Sequence, residues 1–161
     1  MKIEFVQLAE IDKAAVIELL NHPLVRRHMP LSTDFNETSY DQFIAEKQRL
    51  WKEHGYGPWG ILVDGKFVGW GGFQWEQGDA DLALVLHPNH WGLGKWIVRR
   101  MITTAFVDMG FETITILLPP SRTRIKGVLK LHFKPDGEMW IKGEKFLRYR
   151  LNKKDLSLKA Y

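Results

Sequence analysis

The residues with the clearest chemical potential lie together, in Leu84-Val85-Leu86-His87-Pro88-Asn89-His90-Trp91-Gly92-Leu93-Gly94-Lys95. An apolar run of strand type enters a glycine-bearing turn, and the turn opens a run of helical type. Backbone N–H groups at a helix start point outward and carry partial positive charge, which suits a phosphate. Gly92 and Gly94 would let a ligand approach the backbone closely. The plainer alternative is a strand-to-helix turn that needs two glycines. Other phosphate loops fit worse. A P-loop requires glycine at position 89 and Ser or Thr at position 96, where Asn89 and Trp96 stand. A Rossmann fingerprint requires a third glycine where Ile97 stands, near the start of a domain.

Several other chemistries are excluded. The chain has no cysteine, which removes disulfides, thiolate metal sites and a cysteine nucleophile, and fits a reducing compartment. His87 and His90 lack a third ligand, so no metal is expected. The formal charge of +4 suits an anionic ligand or an acidic surface, without the basic-aromatic stripe of a nucleic-acid binder. No apolar run approaches the ~20 residues that cross a bilayer, and nothing resembles a signal peptide. With 161 residues, 45% of them hydrophobic, the chain is expected to form one domain over residues 1–161, located in the cytoplasm.

The elements that must position the glycine turn follow from periodicity. Residues 2–8 alternate as a strand, and residues 10–20 place Ile11, Ala15 and Leu19 on one helical face. Residues 21–35 read as irregular and proline-rich. A capping box over Ser39-Tyr40-Asp41-Gln42 opens a second helix, in which Tyr40, Phe43, Ile44, Lys47, Leu50, Trp51 and His54 fall at helical spacing. Gly55 ends it. Asp64-Gly65 joins strands 59–63 and 66–74 as a tight hairpin. In strand 79–86, Asp81, Ala83 and Val85 share one face and Leu82, Leu84 and Leu86 the other. Residues 93–109 read as a long helix ended by Gly110, and residues 113–118 as a strand. A shorter helix spans 122–131, Asp136-Gly137 marks a turn, and a last strand spans 145–151. The order is mixed α/β around one central sheet. Trp70, Trp75, Trp91 and Trp96 gather near the sheet and the turn, and core packing is expected to explain most of them.

The segments Asp81-Leu82-Ala83-Leu84-Val85-Leu86-His87-Pro88 and Trp91-Gly92-Leu93-Gly94 resemble the GNAT superfamily of N-acetyltransferases. Asn21-His22-Pro23-Leu24-Val25 and Gly143-Glu144-Lys145-Phe146 are similar to its branch that includes the ribosomal-protein N-terminal enzymes. The resemblance covers nearly the whole chain. It implies a GNAT-like α/β fold: a central, mostly antiparallel sheet, helices on both faces, and a strand–glycine-turn–helix CoA site. It further implies acetyl-CoA as co-substrate, with Gly92, Leu93, Gly94, Lys95 and Trp96 around the pyrophosphate. Val85, Leu86 and His87 would line the pantetheine arm. Asn89 stands where the family usually has Gln or Arg, Ser121 where it often has Asn, His132 where it has Gly, and Val128 where many members have a tyrosine acid.

Acetyl transfer to an amine needs a deprotonated nucleophile, a polarised carbonyl and a proton for the leaving thiolate. Asp81 stands where this branch often has Glu. It would take the ammonium proton through water, unless it is a strand-end carboxylate in solvent. Glu76 is the alternative base, and Ser121 and Tyr149 are the candidate proton donors. Arg122, Arg124 and Lys126 either form an exposed helix start or contact the CoA 3′-phosphate. Arg26, Arg27 and His28, in the proline-rich segment, are the acceptor-side candidates and would favour an acceptor with an acidic group. The plainer alternative for Arg27 is a pair with Asp34. The expected partner is a small-molecule amine or a protein N-terminus, bound by a monomer or homodimer. The competing expectation is a noncatalytic acyl-CoA-binding or regulatory module of the same fold.

Overall fold

The structure, a computed structural model, describes residues 1–27 and 35–156. Seven strands form one sheet in the order β1-β2-β3-β4-β5-β7-β6. They are β1 (Ile3–Gln7), β2 (Pro58–Val63), β3 (Lys66–Glu76), β4 (Asp79–Leu86), β5 (Thr113–Leu118), β6 (Lys134–Ile141) and β7 (Glu144–Asn152). Every neighbouring pair is antiparallel except β4 and β5. The helices are α1 (Lys13–Asn21), α2 (Pro23–Arg26), α3 (Glu37–His54), α4 (Gly94–Thr103) and α5 (Lys126–Lys130).

The alternation read from β4 decides how the two faces pack. Leu82 and Leu86 join Ile97, Met101 and Ile102 of α4, and Phe106 just after it, in one apolar cluster. On the opposite face Val16, Leu19 and Leu20 of α1, with Tyr40 of α3, pack around Trp70, while Ala83 and Val85 border them. The sheet is therefore sandwiched, with α4 on one side and α1 and α3 on the other.

Several boundaries depart from expectation for local reasons. The cap of α3 is Asn36, whose side chain accepts the Ser39 N–H at 2.9 Å, so the Ser39 box lies inside the helix. The first helix starts at Lys13 after a short 3-10 turn over Leu8–Glu10. His22 caps α2 through its ring, and Pro23 supplies a pre-set φ, so part of the expected irregular segment is helical. The helix expected over residues 122–131 is confined to Lys126–Lys130.

The largest correction is β6. Asp136-Gly137 is a bulge within that strand, where the register with β7 shifts between Pro135 and Glu138. The hairpin turn is Lys142-Gly143, with φ of 49° and 80°. The long helix after the glycine turn is present, but it closes in a π-helical turn over Thr104–Asp108 before Gly110.

Candidate functional site

β4 and β5 share a single paired position, Asp81 with Thr115. Beyond it β4 pairs with β3 and β5 with β7, so the parallel strands part. Being parallel, their carboxyl ends lie at the same end of the sheet. That end carries a 3-10 turn over Pro88–Leu93 and the first turn of α4 on the β4 side. Pro119, Pro120 and the segment leading to α5 follow β5.

At the vertex, Thr115 Oγ1 donates a hydrogen bond to Asp81 Oδ1 at 2.8 Å. Among the described residues these are the buried polar side chains, 7% and 1% exposed. Asp81 is thus not the solvated strand-end carboxylate that its position in sequence allowed. Burial pushes its carboxyl well above the usual range, the Thr115 bond opposes this, and Glu76 and Asp79 push it further up. The raised value has a sign. In the unfolded chain Asp81 ionises near about 3.9, whereas the folded chain holds its proton to higher pH. Folding therefore takes up a proton in that window, and the stability contribution present at low pH is lost as pH rises through the folded value. Asp81→Asn removes this titration. The variant's melting temperature relative to wild type is expected to climb as pH rises above about 4, the ordinary carboxylate value. A difference that stays flat above that value would contradict the burial argument.

Around the vertex the same face carries a charged network. Arg150 donates to both carboxylate oxygens of Asp79 at 2.9 Å, to Asp136 Oδ2 at 2.8 Å and to Thr113 Oγ1 at 3.2 Å. It ties the starts of β4 and β5 to β7 and β6, on the side of the vertex away from the glycine turn. These partners hold the Arg150 guanidinium well above its ordinary range.

The glycine turn opens a helix as expected and is itself wound as a 3-10 turn. Pro88 and the His87 cap start a 3-10 turn that runs directly into α4, and the Gly94 N–H is bonded to the Trp91 carbonyl. His87 Nδ1 accepts the Asn89 N–H at 3.2 Å, and the His87 carbonyl accepts the His90 N–H at 2.8 Å. Leu93 is half-buried at the end of this turn. The fold itself does not require glycine here. Gly94 has helical φ and ψ, and a Cβ there would meet only Leu86 at 3.7 Å; at Gly92 it would meet nothing within 4 Å. The side-chain-free backbone thus leaves open space beside the head of α4. Lys95 and Arg99 each lie 5.5 Å from the Trp96 ring, which makes this end of α4 cationic and aromatic.

The remaining candidates divide by face and exposure. Val85 lies on the α1–α3 face, Leu86 in the α4 core, and the Leu86 carbonyl accepts the Trp91 indole N–H at 2.9 Å. Tyr149 is buried in the α4 core, opposite the face of Asp81, because β7 presents Arg150 rather than Tyr149 beside Thr115. The two are not brought together. Ser121, Arg122, Arg124 and Lys126 are exposed beyond β5. Arg26 ends α2 and Arg27 is exposed after it; His28 and Asp34 lie outside the described residues. Of the four tryptophans only Trp70 is core. Trp75, Trp91 and Trp96 are 42–49% exposed.

In the sequence Lys47 stands out only as part of the α3 periodicity. Its Nζ lies 5.2 Å from the Phe43 ring centre and 5.0 Å from that of Trp70, and donates to Gln74 Oε1 at 2.5 Å. Gln74 lies directly opposite Asp81 in the β3–β4 ladder. The available signal was a lysine within an apolar helical stripe. Thr113 and Thr115, alternating with Ile114 and Ile116 in a central strand, gave a similar signal.

A family model described as acetyltransferase (GNAT) domain matches residues 2–132. The chain belongs to the GNAT acetyltransferase family. Solved structures agree on the fold. An acetyltransferase from Agrobacterium tumefaciens str. C58 superposes with a TM-score of 0.74 at 17% identity, over 94% of this chain and 91% of the other. A GNAT-family acetyltransferase from Bacillus anthracis gives 0.72 at 18% identity, over 94% of each chain. The structure of AAC(6')-Ib in complex with paromomycin and acetyl-CoA gives 0.74 at 17% identity, over 95% and 93%. A search of curated proteins finds no match. Among the described residues no group of three His, Asp or Glu side chains is placed to hold a metal, and no helix is long and apolar enough to cross a membrane.

Proposed function

We propose that this single-domain, cytoplasmic GNAT member transfers an acetyl group from acetyl-CoA to a primary amine by direct attack in a ternary complex. The observation that carries the reading is the parting of β4 and β5 from one buried contact, Asp81 with Thr115, toward the glycine turn and α4. Acetyl-CoA supplies the thioester; the amine nitrogen bonds to its carbonyl carbon as the C–S bond breaks.

The chain's own residues supply position and proton transfer. Val85, Leu86 and His87 lie along the parting edge of β4 and would hold the pantetheine arm. The backbone at Gly92 and Gly94 would meet the pyrophosphate, which must compete with the Trp91 carbonyl for the Gly94 N–H. Lys95 adds charge at the same end of the helix, and Arg122, Arg124 and Lys126 would reach the 3′-phosphate from beyond β5. Asp81 takes a proton from the acceptor's ammonium, which leaves the neutral amine to attack. Its raised proton affinity brings it nearer a working pH than an ordinary carboxylate. Ser121 is the remaining exposed hydroxyl among the candidate donors to the thiolate.

The acceptor is a small-molecule amine or, on resemblance to the ribosomal-protein N-terminal branch, a protein N-terminus. Calorimetric titration with acetyl-CoA, followed by free-thiol release over a panel of amines, tests the reading. Saturable binding with amine-dependent thiol release is expected. Binding without turnover on any amine would identify a noncatalytic acyl-CoA-binding module; no binding would remove the CoA site itself.

A further inference from the structure

We propose that Lys47 receives an anionic group of the acceptor, so that the preferred substrates are amines carrying a carboxylate a few bonds from the reacting nitrogen. The inference rests on the acetyltransferase reading, in which the α3 side of the sheet faces the acceptor.

The ammonium of Lys47 lies between α3 and the sheet, over two aromatic rings, with the neutral Gln74 amide oxygen as its hydrogen-bond acceptor. It forms no ion pair among the described residues. Beside it the Trp70 indole N–H is buried without a partner, in a residue only 4% exposed. An ammonium with one neutral acceptor therefore lies near a buried donor that has none. Buried donors are ordinarily satisfied, and a cation in such a setting is ordinarily paired.

The neighbouring charges do not supply the missing anion. Glu46 on α3 is bound by Arg49, and Asp79 on β4 is bound by Arg150. Lys142, on the β6–β7 turn, acts on Lys47 as a like charge, while Glu76 at the end of β3 acts as an opposite one without forming an ion pair. Burial pulls the Lys47 ammonium down to about 8, and Glu46 and Glu76 only partly offset this. A bound carboxylate would favour the charged form further.

The placement also sets the spacing. Gln74 and Asp81 are directly opposed on β3 and β4 and face the same side. Opposed side chains start about 5 Å apart. An acceptor whose ammonium approaches Asp81 thus has its carboxylate a few bonds away when that group reaches Lys47. An α-amino acid, or a peptide whose first side chain is acidic, meets this description. A cationic aminoglycoside would instead set like charge beside Lys47.

The test compares amino acids with their α-amides in steady-state acetylation, using wild type, Lys47→Met and Lys47→Arg. Met is similar in length and removes the charge, and circular dichroism checks that the variant folds. Wild type is expected to prefer the acids. Lys47→Met is expected to lower the acid-to-amide ratio of kcat/KM roughly tenfold to a hundredfold, and Lys47→Arg to restore part of it. Preference for amides in wild type, or an unchanged ratio in Lys47→Met, would overturn the proposal. If acetyl-CoA binds but no amine is turned over, the acetyltransferase reading fails and a second measurement decides this one. Reductive methylation of Lys47 is followed by mass spectrometry in the presence of CoA. Protection by N-acetylglycine and not by N-acetylglycinamide supports the anion subsite; equal labelling under both refutes it.

Discussion

Gly94→Val is expected to fold as wild type does and to bind acetyl-CoA at least about a hundredfold more weakly. Both halves of this expectation come from the local geometry. Gly94 sits in helical conformation, so valine needs no unusual backbone angle, and its Cβ would touch Leu86 at ordinary van der Waals distance. Valine is also a better helix residue than glycine. Thermal stability should therefore change little. On the ligand side, the new methyl groups occupy the open space beside the first turn of α4 and hold a phosphate away from the backbone. Hydrogen bonds to charged groups contribute about 1.5–3 kcal/mol each, so losing two approaches or exceeds a hundredfold. Calorimetric titration with acetyl-CoA, paired with a melting curve, makes the measurement. An unchanged dissociation constant in a folded variant would move the pyrophosphate away from this turn.

The parts of this architecture that were legible in the sequence are those in which local chemistry and tertiary packing agree. The β4 alternation assigned its two faces correctly, because a strand buried on both sides still separates Asp81, Ala83 and Val85 from the leucines between them. Asp64-Gly65 and Gly110 adopt the positive φ that their positions suggested. The strand β6 was not legible for the opposite reason. Its bulge contains Asp136-Gly137, a turn signal, and its actual turn, Lys142-Gly143, places a lysine at positive φ. The pairing partner β7, rather than local preference, decides that segment.

The site was legible in the same uneven way. The strand, turn and helix around Gly92 and Gly94 could be read because glycine and hydrophobic periodicity are local signals. The closure of the turn by Trp91 and His87 could not, since it depends on a side chain reaching back to Leu86 and on a ring cap. Tyr149 shows the limit of residue type alone. A tyrosine in the last strand is chemically suited to donate a proton, yet β7 turns it into the α4 core and offers Arg150 to the vertex instead. Lys47 shows the converse: an ordinary helical lysine acquires its unusual setting only when Trp70 and Gln74 from β3 are laid beneath it.

The second large effect is expected at Asp81. With a general base removed, Asp81→Asn should lose about 10²- to 10⁴-fold in kcat near neutral pH while keeping its affinity for acetyl-CoA. The loss should shrink as pH rises toward the amine's own pKa, because the nucleophile then arrives already deprotonated. Equal loss at every pH would assign Asp81 a structural role, and unchanged turnover would pass the base to Glu76. Thr115 supplies an independent check. Its hydroxyl donates to the Asp81 carboxylate and so favours the ionised form, against the burial that disfavours it. Thr115→Val removes that donor and keeps the β-branched shape of a buried strand residue. The Asp81 carboxyl should then hold its proton to still higher pH, and the acidic limb of the kcat/KM profile should move upward with it. A limb that stays in place in Thr115→Val, in a protein that still binds acetyl-CoA, would show that the titrating group is not Asp81.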